Sequence, residues 1–267
     1  MLSIGRIVSP TACRPQTGFH ISRWRRYNTM RTTGYTIGVA DLEASDRGRM
    51  FQLLSDSYLG VKREAFERDL AAKEHVILLR SSEGEIVGFS TQVRLRLTLP
   101  DRTVLAVFSG DTIVSERHRG SFETAREICR YFRRAISEYP KEEVYWLLIC
   151  KGWRTYRVLR LLFRNYSPRA DASDPLAFRD VADAFGNTRY PGLYQSSSRL
   201  IVFPGEAQRI RPGSPEAIDH RRSDPGLLFF EKANPDHERG NELVCVAPIR
   251  QDNFTAAARR FAGYGER

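Results

Sequence analysis

Apolar positions along the chain switch between two spacings, and the switches mark the elements. Tyr35 to Val39 reads as a first strand, after which Leu42, Met50, Leu53, Leu54 and Tyr58 recur at helical spacing over residues 41–59. A second helix is predicted from near Val61 to Lys73. Three strands then follow in series: residues 74–80, residues 85–99 after the turn Ser82-Glu83-Gly84, and residues 103–114 after Pro100-Asp101-Arg102. The middle strand ends in clean alternation, Val93, Leu95, Leu97 and Leu99 against Arg94, Arg96 and Thr98, and the short turns predict an antiparallel meander. Beyond Gly120 the period becomes helical. Ala125, Ile128, Cys129, Phe132, Ala135 and Ile136 form an apolar stripe, Arg126, Arg130, Arg133 and Arg134 lie off it, and Pro140 stops the helix. Glu142 to Cys150 is nearly unbroken apolar sequence, as a strand buried on both faces requires. Tyr156, Leu159, Leu162 and Phe163 then mark a helix ending before Ser167-Pro168.

The strand before Gly120, the helix after it and the strand 142–150 make a right-handed βαβ unit with two parallel strands. The other connections are hairpins. The predicted fold is therefore α/β in the α+β sense: a mixed, mostly antiparallel central sheet flanked by helices. Residues 168–215 are rich in Pro, Gly, Ser, Asp and Arg, with a short helix predicted at Leu176–Phe185 and a strand at Leu200–Phe203. "LLFFEKAN" and "NELVCVAPI", separated by Pro235 to Gly240, predict a closing hairpin, and residues 251–262 a terminal helix. The expected organisation is a leader over 1–30, a core over 31–167 and an extension over 168–267 that belongs to the same domain.

Composition narrows the class. A chain of 267 residues with 41 % hydrophobic and 11 % aromatic content can bury a core without disulfides or metal. No apolar run approaches the length of a membrane span. The four cysteines and five histidines are scattered, without the spacing of a zinc site, so no metal is expected. The net charge of +10 is uneven: residues 1–40 contain no Asp or Glu, and Arg6, Arg14, Arg23, Arg25 and Arg26 supply half of it. Such a leader has the composition of a mitochondrial transit peptide, or precedes a start at Met30. Cytoplasmic location is expected, mitochondrial if the leader targets. Outside it the basic residues are interleaved with acids, and no nucleic-acid-binding signature is present.

The candidate chemistry lies in "FSGDTIVSERHRG", Phe108 to Gly120. Glycine inside a strand built to pack marks a bulge or a close backbone approach. A bulge splays the strand from its parallel neighbour and frees backbone groups for a ligand. Asp111 beside that break is a candidate general base, or else a residue that caps a turn or pairs with an arginine. At the strand's end, Arg117, His118, Arg119 and Gly120 precede a helix. Basic side chains, a glycine and the unpaired N–H groups of a helix N-terminus together make an anion site, although many helices begin after a basic turn.

With these residues in view, the element order from Tyr35 to Tyr166 resembles the GCN5-related N-acetyltransferase (GNAT) superfamily. Its signature is a fourth strand, a bulge, a loop R/Q-x-x-G-x-G/A and a helix. Arg117-His118-Arg119-Gly120 matches R-x-x-G, and Phe122 stands at the last position. The resemblance implies that the backbone at Ile113 and Val114 binds the pantetheine arm of acetyl-CoA or another acyl-CoA, with Arg117, His118, Arg119, Gly120 and Ser121 around its pyrophosphate. It implies a direct transfer of the acyl group to the amine of a small-molecule or amino-acid-like acceptor, with Asp111 as base. On the following helix Thr155 and Leu162 stand where Asn and Tyr are common. Tyr156 is the nearest phenol to protonate the thiolate, or an aromatic packing its helix on the sheet. Two alternatives stay open: a non-catalytic CoA-binding sensor, and an enzyme like the N-acyl amino acid synthases that takes its acyl group from an acyl carrier protein docked on the basic helix Thr124–Arg134.

Overall fold

A computed structural model describes residues 31–205, 208–211 and 224–265. The leader expected over 1–30 lies outside the described residues. The strands are β1 (Thr32–Gly38), β2 (Tyr58–Leu59), β3 (His75–Ser81), β4 (Ile86–Thr98), β5 (Thr103–Val114), β6 (Val144–Cys150), β7 (Tyr194–Gln195), β8 (Leu200–Ile201), β9 (Arg209–Ile210) and β10 (Glu242–Pro248). The helices are α1 (Ala44–Ser57), α2 (Arg63–Ala71), α3 (Glu123–Glu138), α4 (Trp153–Leu162), α5 (Leu176–Arg189), α6 (Pro225–Ala233) and α7 (Ala256–Ala262). Eight strands form one sheet in the order β1-β3-β4-β5-β6-β10-β8-β7, and β2 pairs with β9 apart from it. Every pairing in the large sheet is antiparallel except β5 with β6, which run parallel from Leu105↔Val144 to Ser109↔Leu148. This is the mixed, mostly antiparallel sheet flanked by helices that the sequence predicts.

Alternation along the strands sorts the helices onto two faces. Leu105 and Val107 point into a cluster with Ile128 and Phe132 of α3, Leu159 and Leu162 of α4, Phe230 of α6 and Ala258 of α7. Phe132 is the hub of that side, with its ring centroid 5.2 Å from Trp146 and 5.8 Å from Phe163. Full burial of one such ring contributes about 1.5–3 kcal/mol. Val104, Ala106 and Phe108 point the other way, onto Val181, Ala182 and Phe185 of α5. Farther along that same face Phe89 and Ile113 meet Met50, Leu53 and Leu54 of α1 and Phe66 and Leu70 of α2.

The predicted closing hairpin is corrected. "LLFFEKAN" lies in α6, because Asp224 accepts a hydrogen bond from Gly226 N at 2.8 Å as the N-cap and Pro225 begins the first turn. Leu227 and Phe230, three residues apart, are its buried side chains. "NELVCVAPI" does form a strand, β10, which pairs with β6 from Leu243↔Cys150 to Pro248↔Tyr145. Residues beyond 167 thus complete the same sheet.

Candidate active site

The break at Gly110 is a bulge. Ser90 pairs with Thr112 and Gln92 with Ser109, so Gly110 and Asp111 together oppose Thr91. The extra residue inverts the alternation, which lets Ile113 face the same side of the sheet as Phe108. Ser109↔Leu148 is the last rung between β5 and β6; β5 continues along β4 to Val114, while β6 continues along β10. The two parallel strands part at the bulge. Glycine is needed there because a Cβ at 110 would lie 2.5 Å from Thr91 Oγ1 and 2.9 Å from Lys73 Cε. Below the opening runs a buried polar chain. Trp146 Nε1 donates to Ser109 Oγ (2.8 Å), Ser109 Oγ to Gln92 Oε1 (2.7 Å) and Gln92 Nε2 to Ser90 Oγ, which meets Thr112 Oγ1 at 2.7 Å.

Charged side chains from four elements converge above the bulge. The Lys73 side chain at the end of α2 is wholly buried, pairs with Asp69 and holds its ammonium 5.7 Å from the Phe108 ring centroid. Lys151, following β6, lies 3.1 Å from Glu242 at the start of β10 and 5.2 Å from the Tyr58 ring centroid. Asp111 has no ion pair or side-chain hydrogen bond among the described residues. Part of the residue is reached by solvent, but its carboxyl is enclosed, and that burial pushes its pKa up to about 6. Repulsion from Asp69 and Glu242 acts in the same direction, against Lys151 and Lys73. The Tyr190 phenol, just past α5, is raised by burial and by the carboxylates of Glu242, Asp69 and Asp111. No group of three or more His, Cys, Asp or Glu among the described residues could hold a metal ion.

The second half of the site is the loop from β5 to α3. Ser115 N donates to Val87 O at 2.8 Å, so by strand alternation the backbone groups of Val114 and Thr112 point away from β4 into the opening. Ile113 turns its backbone toward β4, pairing with Phe89, and its side chain into the core. Arg119 Nε returns to Val114 O at 3.1 Å. Gly120 has φ +104°, a conformation in the left-handed half of the map that a side chain would strain. His118 is buried, its Nδ1 2.8 Å from Ser115 Oγ and its Nε2 without a hydrogen-bond partner. Arg117 is exposed. Ser121 Oγ accepts from Glu123 N (3.2 Å) and meets Thr32 Oγ1 at 2.8 Å, which ties the loop to β1. Phe122, at the position where glycine or alanine was expected, sets its ring 5.7 Å from Phe261 of α7.

Sequence reasoning and structure part at Tyr156. It faces the aromatic cluster of Trp153, Tyr166, Phe229 and Phe230, and its hydroxyl donates to Pro168 O at 2.8 Å. Burial raises its pKa, as it does that of Tyr190. These contacts fit the packing alternative for Tyr156, and Tyr190 is the phenol whose titration feels the Asp111 carboxylate. Asp69, Lys73, Lys151 and Glu242 were not singled out in the sequence, where each reads as an ordinary polar residue at the end of an element. One signal was available: only five of the 42 basic residues are lysines, and two of the five meet at this opening.

No protein-family model matches the chain, and no curated protein does either. Among solved structures, it is similar to a conserved protein of unknown function from Enterococcus faecalis V583 (12 % identity, 48 % of this chain and 31 % of that one, TM-score 0.37). It is also similar to a GNAT family N-acetyltransferase from Escherichia coli in complex with CoA (14 % identity, 46 % and 64 %, TM-score 0.34). A third is N-myristoyltransferase from Saccharomyces cerevisiae with bound myristoyl-CoA (14 % identity, 45 % and 31 %, TM-score 0.35). The chain thus spans under two thirds of the length of each, and alignments this loose fix no residue equivalence.

Proposed function

We propose that this chain is a divergent GNAT-type N-acyltransferase that uses an acyl-CoA and an amine acceptor. The observation that carries the reading is the coincidence of three features on one strand: the bulge at Gly110-Asp111, the parting of β5 from β6 at that bulge, and the loop through Gly120 into α3. The residues suit the donor. Val114 and Thr112 offer backbone groups along the opening. His118 Nε2 is a buried nitrogen lacking a partner, and at the start of α3 the N-cap residue Phe122 supplies no side-chain cap, Ser121 Oγ holding only the Glu123 amide.

The chemistry assigned to the chain's own groups is as follows. Asp111 takes the proton that an incoming ammonium must lose; a carboxyl titrating at about 6 is ionised near neutral pH and still a usable base. A backbone N–H at Thr112 or Val114 donates to the thioester oxygen as negative charge develops there. Tyr190 is assigned the return of a proton to the departing thiolate.

A sensor that binds CoA without turnover is the second reading, favoured by the packing of Tyr156 and by Leu162 where the family carries tyrosine. Delivery by an acyl carrier protein on α3 has less support. Arg126 and Arg130 pair with Glu123 and Glu127, Arg133 bonds the Ala262 carbonyl and Arg134 bonds Thr36.

Thermal denaturation of the chain with CoA, acetyl-CoA and a long-chain acyl-CoA tests the reading. A ligand at about 100 times its Kd stabilises by about 2.7 kcal/mol. No shift with any of the three would overturn the donor assignment. A shift without turnover across a panel of amines favours the sensor.

A further inference from the structure

Lys73 is unusual in three respects. Its side chain has no exposure, although lysine is rarely buried. Its Nζ lies 3.3 Å and its Cε 2.9 Å from where a Cβ on Gly110 would be, so the amine rests directly on the bulge. It is a lysine in a chain that otherwise answers almost every need for positive charge with arginine. Arginine would pair with Asp69 and stack over Phe108 at least as well, but a guanidinium cannot lose its proton, whereas an ammonium can. A position needing only a buried cation gives no reason for lysine. A position needing an amine does.

We propose that Lys73 is itself an acyl acceptor, modified by the chain's own donor. The inference rests on the functional reading above, which sets the thioester in the opening beside the bulge. In the step, the Lys73 ammonium gives its proton to Asp111, the carboxylate of the cluster that has no ion-pair partner. The neutral Nζ attacks the thioester carbonyl carbon, the C–N bond forms and the C–S bond breaks. As the C–S bond breaks, the second N–H proton passes from the nitrogen to the departing CoA thiolate, and Asp111 releases the first proton to solvent. The products are Nε-acyl-Lys73, CoA thiol and one released proton, with no oxidant or further reactant. The modification removes the positive charge facing Asp69 and leaves an amide filling the space over Gly110, so it closes the opening to an external amine.

The chain contains its own controls. Lys62, Lys141 and Lys232 are exposed, and Lys151 faces the same opening while paired with Glu242. The full chain is incubated with acetyl-CoA and no added amine, then analysed by intact mass and peptide mapping. In parallel it is incubated with S-acetyl-N-acetylcysteamine, a small thioester without a nucleotide. The expected result with acetyl-CoA is a gain of one acetyl group, on Lys73, ahead of the exposed lysines, lost in Lys73→Arg and slowed in Asp111→Asn. Lys73→Gln serves as a second variant if the arginine does not fold, and the site of labelling in the unmodified sequence needs no variant. If CoA stabilises the chain while Lys73 stays unmodified, or is labelled no faster than Lys62, Lys141 and Lys232, the inference is overturned and the acyl-CoA reading stands. If no CoA stabilises the chain and neither thioester labels Lys73, both fall. Labelling by the small thioester alone supports Lys73 as the reactive amine and overturns only the CoA reading.

Discussion

Trp146 Nε1 donates to Ser109 Oγ at 2.8 Å, joining β6 to β5 at the last rung before the two strands separate. The same hydroxyl donates to Gln92 on β4, so one serine oxygen ties three strands at the base of the opening. Its removal leaves a buried indole N–H and a buried amide oxygen unpaired. Ser109→Ala is expected to lose about 1–3 kcal/mol of stability, read from the urea midpoint. Trp146→Phe in the Ser109→Ala background should recover part of that loss, since it removes the orphaned donor. Equal midpoints for Ser109→Ala and the unmodified chain would show that the serine does not hold the strands.

Asp111 carries a stability cost with a defined pH dependence. Folding raises its pKa to about 6, so between its ordinary value near 3.8 and about 6 the folded state binds more protons than the unfolded one. Stability contributed by the protonated carboxyl is full below that window and is lost as pH rises through it. Asp111→Asn should therefore leave stability near pH 4 unchanged and raise it near neutral pH by on the order of 2–3 kcal/mol. Chemical denaturation at the two pH values checks this. The unmodified chain's kcat is expected to rise through about pH 6 and flatten, and the variant to lack that inflection.

Two tyrosines should respond in opposite ways. Tyr156→Phe leaves the Pro168 carbonyl without its donor and is expected to cost about 1 kcal/mol of stability with kcat unchanged. Tyr190→Phe keeps the ring and removes the hydroxyl among the three carboxylates. It is expected to lower kcat by about 100-fold at unchanged stability, the scale of a lost proton transfer. The reverse outcome would return the acid role to Tyr156.

Gly110→Ala puts a methyl against the Thr91 hydroxyl and the Lys73 chain. Lys73 can move at its far end; Thr91, buried on β4, cannot. A loss of about 1–3 kcal/mol is expected from overpacking, measured by thermal or urea unfolding.

The bulge was legible because glycine interrupts an otherwise strand-forming run, and the meander because Val93 to Leu99 alternates without a fault. Residues 227–234 were misread since a short apolar run fits a buried strand and a buried helix face equally well. The deciding signal was Asp224-Pro225, a cap and first-turn pair just upstream. Of the charge cluster, Asp111 was legible from the break beside it, whereas Asp69, Lys73, Lys151 and Glu242 were not. Asp69, Lys73, Asp111, Lys151, Tyr190 and Glu242 are spread along most of the chain, and only the order of strands in the sheet brings β5, β6 and β10 side by side. Tyr156 was singled out through its position in a family pattern, whereas its own helical neighbours Trp153 and Leu159 mark it as part of a packed stripe.

The seat of Phe122 on Phe261 has a consequence for how the protein comes into being. During synthesis, most of the sheet's long strands can begin to pair once β6 has emerged, but the Phe122 end of the loop waits for a contact to a helix made much later. Long-range contacts of this kind close slowly because the loop entropy is spent before the contact rewards it. The strands from β1 to β6 can thus be in register while the turn through Gly120 still lacks its seat on α7, and Tyr190 and Glu242, which border the opening, also arrive after β6. The segments beyond β6 therefore finish both ends of the opening, and neither end is complete before they pack.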